Sequence, residues 1–173
     1  QGAKVQEVKI PTLKYAEWAE LVTSLSEASA IHHSDMLTRP DDFGHDIRML
    51  FELGELPSAV DYLQAQQVRR QLKHDFRKAF EQVDILAMPT LPILPNDIGD
   101  DWADLNGKKA DLGPGNLTGL PALSVPCGFS QGLPVGMQLM GPAFGEAAIL
   151  NAGYAFEQTN PLENRKPDLL VNA

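Results

Sequence analysis

Cys127 is the only thiol in the sequence and the first residue to weigh as a nucleophile. A reactive cysteine needs a base or a helix N-terminus nearby to lower its pKa. Cys127 lies instead between Pro126 and Gly128 in an apolar run, and the nearest histidine in sequence, His74, is far upstream. That setting reads as a buried, inert side chain. His32, His33, His45 and His74 have no partner at the HExxH or CxxC spacings that hold a metal. Adjacent His32 and His33 would diverge by about 100° on a helix and cannot chelate together. No metal and no cofactor is expected. The acidic pairs Asp41-Asp42 and Asp100-Asp101 fall in loops and read as solvated surface rather than as a general acid and base. The serines (Ser24, Ser26, Ser29, Ser34, Ser58, Ser124 and Ser130) include none in a Gly-rich strained loop beside a basic residue. GxSxG, P-loop and GxGxxG patterns are absent, and the Gly113-Pro114-Gly115 turn lacks the lysine and helix start of a phosphate cradle. Residue chemistry alone describes a soluble α/β domain with no catalytic residue of its own.

Bulk properties narrow the partners. The 173 residues suffice for one domain with a sizeable core, and 43% of them are hydrophobic. A net charge of −9 argues against nucleic acid, whose binding draws on Lys and Arg. The basic clusters Arg69-Arg70 and Lys108-Lys109 are too short for such a footprint. No apolar run reaches the roughly 18 residues of a membrane helix, so no membrane partner is expected. The opening residues QGAKVQEVKI show neither a signal-peptide pattern nor an initiator Met. The chain therefore reads as a piece of something longer, and a reducing cytoplasm is the expected location.

The elements that must position any site follow from periodicity. Ala3–Ile10 reads as a strand, with Val5, Val8 and Ile10 apolar among polar neighbours. Thr12 is placed to N-cap a helix whose face is Tyr15, Trp18, Val22 and Leu25, continuing or restarting at SEASAIHH. IRMLFEL suggests one or two helical turns stopped by Gly54 to Pro57. Ser58 and Asp61 form a capping-box start for a long helix from about Ala59 to Gln82, with Leu63, Val68, Leu72, Phe76, Phe80 and Val83 on its apolar face. Ile85–Met88 suits a short buried strand, and a polar loop of unusual length follows from about Asn96 to Gly115. ALSVPCGF and PVGMQLMG read as strands joined at SQGL, with Gly132 at the turn and Pro126 at a bulge or an edge. Gly145 to Gln158 carries Ile149, Tyr154 and Phe156 on a helical pattern, and the tail from Thr159 is polar. The expected core is Phe76, Phe80, Ile85, Leu86, Leu123, Val125, Met137, Leu139 and Ile149.

One stretch carries more than local structure. "NLTGLPALSVPCGFSQGLPVGMQLMGPAFGEAAIL" closely resembles the C-terminal block of the amidase-signature family, through Asn116, Gly119, Pro121, Pro126, Gly128, Gly132, Pro134, Gly136, Gln138, Gly141 and Glu146. "FRKAFEQVDILAMPTLP" and "GAKVQEVKIP" look like the family's long helix with the strand after it, and like the strand before it. The resemblance covers nearly the whole chain but only the last third or so of the family's usual length. It implies the C-terminal part of an α/β/α layered sandwich with a mixed sheet, in which residues 1–173 are one portion of a single domain.

The family hydrolyses carboxamides with a Ser nucleophile, a Ser in a cis peptide and a Lys. The nucleophile loop lies N-terminal to anything present here, so the resemblance assigns no catalytic residue to this chain. Pro89, Thr90 and Leu91 at a strand end, and Asn116 and Thr118 after the long loop, are the expected substrate-lining residues. The implied partner is a small-molecule amide in the intact enzyme, and the chain alone is expected to be inactive and prone to self-association. Within the family, the glutaminase component of tRNA-dependent amidotransferases is the alternative. It carries a basic pair near the stretch "IRMLFELG", where Met49 and Leu50 stand here and Arg48 is displaced. A non-catalytic structural or interaction module is the reading from another class.

Overall fold

In a computed structural model the chain is described over residues 2–91, 93–95 and 113–162. The anticipated loop at 96–112, with Asp100-Asp101 and Lys108-Lys109, and the tail at 163–173 lie outside the described residues. Contacts divide the chain into two compact units: residues 1–84 with 111–120, and residues 85–110 with 121–173.

The first unit is helical. A 3-10 turn at Pro11–Tyr15 leads into α1 (Ala16–Thr38), followed by α2 (His45–Gly54), α3 (Ala59–Ala79) and the short α4 (Gly113–Thr118). Small side chains decide how these helices meet. Ala16, Ala19 and Thr23 recur at helical spacing on the buried face of α1, which lets backbones approach closely. The anticipated face is displaced: Tyr15 and Trp18 are exposed, while Val22 and Leu25 lie half-buried at its margin. Large apolar residues at helical spacing mark an amphipathic helix, but the small ones beside them form the closest contact. Gly54 shows why. A Cβ there would stand 2.1 Å from Ser29 Oγ and 2.2 Å from the Leu25 carbonyl oxygen, so α1 and α2 touch backbone to backbone. Ser29 sits in this contact, its hydroxyl between the carbonyls of Leu25 (2.8 Å) and Phe51 (2.6 Å).

α3 starts where its cap dictates. The Asp61 amide donates to Ser58 Oγ at 3.2 Å, and the Ser58 amide donates to the Asp61 carboxylate at 2.8 Å. It ends at Ala79, short of the anticipated Gln82, with Arg77 and Lys78 complementing the helix dipole. Ala65, Leu72, Phe76 and Ala79 are buried, whereas Leu63 is 60% exposed and does not share their face. α4, which falls within the stretch anticipated as loop and its exit, is tied to α3 by the Arg69 guanidinium donating to the Leu117 carbonyl at 2.6 Å.

Two expectations at the N-terminus fail together. Ala3–Ile10 forms no strand, because no described strand lies alongside to complete a ladder, and Val5 is 96% exposed. Thr12 caps no helix. It lies inside the 3-10 turn, and its hydroxyl donates to the Asp75 carboxylate of α3.

The second unit is a three-stranded antiparallel sheet of β1 (Leu86–Pro89), β2 (Ala122–Ser130) and β3 (Leu133–Met140) in the order β1-β3-β2, with α5 (Glu146–Thr159). The hairpin turns at Gln131 and Gly132, both with positive φ (52° and 81°), as a two-residue I′ turn requires. Pro126 sits where the register slips between Pro126 and Gly128, on a strand at the sheet's edge, so bulge and edge both hold. β1 corrects the expectation of a buried strand. It is the other edge, and its residues alternate between half-buried and exposed. One face of the sheet carries Val125 and Leu139, which bury with Ile149 of α5 against Leu123, Met137, Ile85 and Phe156. Gly153 permits that contact, since a Cβ there would lie 2.7 Å from Leu123 Cδ2. Tyr154 instead faces out of the core. The α/β class anticipated from sequence holds, and the sheet among the described residues is antiparallel throughout.

Candidate functional site

The opposite face of the same sheet is mixed: Thr90, Ser124 and Gln138 share it with Leu86, Met88 and the fully buried Met140. Side chains alternate between faces along a strand, so the row Met88–Gln138–Ser124 projects away from the row Pro89–Met137–Val125. Two residues along, Gly136 pairs with Pro126, and the Thr90 amide donates to the Gly136 carbonyl at 2.9 Å, extending the β1 pairing by one residue. Thr90 and Ser124 therefore flank Gly136 across β3, and their hydroxyls are hydrogen-bonded at 2.6 Å. Gly136 makes room for this. A Cβ there would stand 2.8 Å from each hydroxyl oxygen. Gln138 lies in the adjoining row, only 7% exposed, and its Oε1 has no hydrogen-bond partner among the described residues. A buried acceptor left unpaired costs about 1–3 kcal/mol.

This face can donate, accept and orient. Neither hydroxyl has a basic side chain as a hydrogen-bond partner among the described residues, so nothing there raises Thr90 or Ser124 to a nucleophile. Thr90 is the one anticipated lining residue that reaches this cluster. Pro89 ends β1 in the row of Met137 and Val125, and Leu91 is exposed just beyond. Asn116 and Thr118 belong to α4 in the helical unit. Asn116 is exposed, and the buried Thr118 hydroxyl donates back to the Pro114 carbonyl of its own helix.

The other reactive types fall into supporting positions. Cys127 is half-buried at the bulge with its thiol toward the Val135 carbonyl at 3.5 Å. His32 stacks on Phe51 at 4.8 Å and meets Phe43 edge-on at 5.5 Å. Its neighbour His33 turns to Glu55 at 3.0 Å, so the two rings diverge as their adjacency requires. Asp41 pairs with Arg48 and Asp42 with Arg39, both at the surface. No group of three or more potential metal ligands occurs among the described residues. A cleft of about 170 Å³ between α1 and α2, lined by Met36, Leu37 and Phe51 with His33 and Glu55, holds none of the anticipated site residues. No helix of the described residues is long and apolar enough to cross a membrane.

Sequence reasoning missed Ser124 and Gln138 as site residues. The signal was present in ALSVPCGF and PVGMQLMG: a serine and a glutamine, each flanked by apolar residues, that the hairpin register sets directly opposite each other.

Comparisons with known proteins agree on one family. The family model described as Amidase matches residues 1–150. The curated A-type subunit of glutamyl-tRNA(Gln) amidotransferase from Moorella thermoacetica is 38% identical, over 98% of this chain and 40% of its own length. A solved structure described as a crystal structure of amidase superposes with a TM-score of 0.81 at 26% identity, over 91% of this chain and 38% of that one. The structure of the corresponding glutamyl-tRNA(Gln) amidotransferase polypeptide from Thermotoga maritima gives 0.71 at 33% identity, over 92% and 36%. The 173 residues thus span about two fifths of the length of their curated relatives.

Proposed function

The chain belongs to the amidase family, and from that membership we propose that residues 1–173 are the C-terminal portion of a single amidase-signature domain that hydrolyses a carboxamide to an acid and ammonia or an amine. The observation that carries this is the family match over residues 1–150. In the proposed mechanism the triad is supplied by polypeptide outside this chain. A neutral lysine accepts a proton from the bridging serine, which accepts the proton of the nucleophilic serine. The nucleophile adds to the amide carbonyl while backbone N–H groups hold the oxyanion. The C–N bond then breaks, the nitrogen leaves with a proton, and water cleaves the acyl ester. This chain contributes substrate-lining residues, Pro89, Thr90 and Leu91 after a strand end and Asn116 and Thr118 in α4, with a small amide as substrate and the cytoplasm as location. Ammonia release from simple amides by the full-length gene product, with none from residues 1–173 alone, is the expected result. Hydrolysis by the short chain that disappears in Cys127→Ala would overturn the assignment.

A second reading is favoured by the 38% identity to a glutamyl-tRNA(Gln) amidotransferase polypeptide: the whole protein is the glutaminase of a multi-subunit amidotransferase. Met49 and Leu50, near where a basic pair is expected, weigh against it. In this reading any tRNA link runs through companion subunits, and the expectation of no nucleic-acid partner, drawn from net charge, does not hold for the whole protein. Glutamine hydrolysis that requires companion subunits and tRNA selects this reading; hydrolysis by the lone protein selects the first.

A further inference from the structure

We propose that Arg69 is a positioning residue of the amidase: by donating to the Leu117 carbonyl it fixes α4 against α3, and so holds the Asn116 carboxamide where a carboxamide substrate meets it. This rests on the reading above that Asn116 lines the substrate site.

α4 has six residues, too few to hold itself as a helix in water, where about 12–15 are needed. Its stability must come from packing, and its burial shows what that packing leaves out. Pro114, Gly115, Leu117 and Thr118 are buried, and within 114–118 Asn116 alone is exposed. Asparagine is a poor helix former, so helix stability does not explain its place at the one open position. The carbonyls of this short helix are satisfied one by one. The Thr118 hydroxyl donates to the Pro114 carbonyl, and the Gly119 amide, at a φ of 71°, donates to the Gly115 carbonyl at 2.8 Å. Arg69 Nε donates to the Leu117 carbonyl at 2.6 Å, and of these three bonds only this one reaches another element. It ends a relay that begins on α1: Gln66 Nε2 donates to Thr23 Oγ1 at 3.0 Å, and Arg69 Nη1 donates to Gln66 Oε1 at 3.3 Å. The half-buried Arg69 makes no ion pair among the described residues, so its charge strengthens the bond to a backbone carbonyl. The Asn116 side chain presents an N–H donor and a carbonyl acceptor, which match the carbonyl and the N–H of a primary carboxamide.

The test is a double-mutant cycle in the full-length gene product: Arg69→Met, Asn116→Ala and the two together. It is read as kcat and KM on propionamide, benzamide or glutamine, whichever the wild type turns over fastest. Asn116→Ala is expected to raise KM about tenfold with kcat changed less than about twofold, and Arg69→Met to do the same. The double variant is expected to match Asn116→Ala alone, because a residue that acts through Asn116 then has nothing left to position. Arg69→Lys keeps a charged donor and is expected to bring KM most of the way back. Native-state hydrogen exchange adds a readout apart from turnover: in Arg69→Met the Gly119 amide loses protection while the amides of α3 keep theirs. Changes in KM that multiply in the double variant, a lowered thermal midpoint with KM unchanged, a lysine variant as impaired as methionine, or full protection at Gly119 would each overturn the proposal and leave the lining role of Asn116 standing. An Asn116→Ala enzyme with wild-type KM and kcat defeats that lining role, and the proposal with it. A folded wild type that hydrolyses none of the three amides defeats the amidase reading and the proposal together.

Discussion

The helical unit and the sheet unit bury polar groups on different terms. In the helical unit each buried hydroxyl is satisfied locally: Thr23 accepts from Gln66 at 3.0 Å, Ser29 joins two carbonyls, and Thr118 bonds back to Pro114. The sheet unit closes one face with α5 and leaves on the other a buried glutamine whose oxygen has no partner among the described residues. Among the described residues the two units therefore differ in how fully their buried polar groups are hydrogen-bonded. Burial alone does not account for the difference, because Gln138 is as buried as Thr23.

Glycine substitutions test that contrast most severely. Gly54→Ala sets a methyl against the Leu25 carbonyl, which cannot swing aside, and is expected to destabilise the helical unit by about 3 kcal/mol in chemical denaturation. Native-state hydrogen exchange sharpens the result. Loss of protection confined to α1 and α2 keeps the units distinct, whereas equal loss in β3 shows that they open as one. Gly153→Ala meets the movable end of Leu123, so a smaller loss of about 1–2 kcal/mol is expected, centred on the sheet. Ser58→Ala removes one hydroxyl from a cap and is expected to cost about 1 kcal/mol by the same denaturation measurement.

Acid gives the smallest and most local effect. The Ser58 hydroxyl, then its amide, hold the Asp61 carboxyl below its ordinary value, and the Thr12 hydroxyl does the same for Asp75. A carboxylate with a lowered folded-state pKa contributes stability that is present above its unfolded value, about 3.9, and lost as pH falls through the folded value. Both groups belong to α3, so the helical unit is expected to weaken below about pH 4. Thr12→Val should flatten that dependence in melts across pH 2–5, on the order of the range where these carboxyls titrate. An unchanged slope would remove Thr12 from the account.

Legibility from sequence follows how local the determinant is. The capping box at Ser58 and Asp61, the Gln131-Gly132 turn and the bulge at Pro126 were all readable, because each is fixed by residues a few positions apart. The strand at Ala3–Ile10 was not, since a strand needs a partner and none lies beside it among the described residues. The true face of α1 was hidden because Ala16, Ala19 and Thr23 carry little hydrophobic signal yet make the closest contacts. At the candidate site, Thr90 was reachable from its place after an apolar strand. Ser124 became significant only through cross-strand register; Gln138 stood among the residues that carry the family resemblance, but its buried oxygen without a donor was not legible. Family resemblance supplied what local reasoning lacked, and the match over residues 1–150 bears it out.

The bulge at Cys127 has a use that its inert chemistry makes available. As the sole sulfur nucleophile in the sequence, on an edge strand beside Pro126, it offers a built-in clock for breathing of the sheet. Its rate of reaction with a disulfide reagent would report how often the ladder around Val135 parts. Slowing of that reaction when the rest of an amidase is present would register the sheet's closure, with no label added.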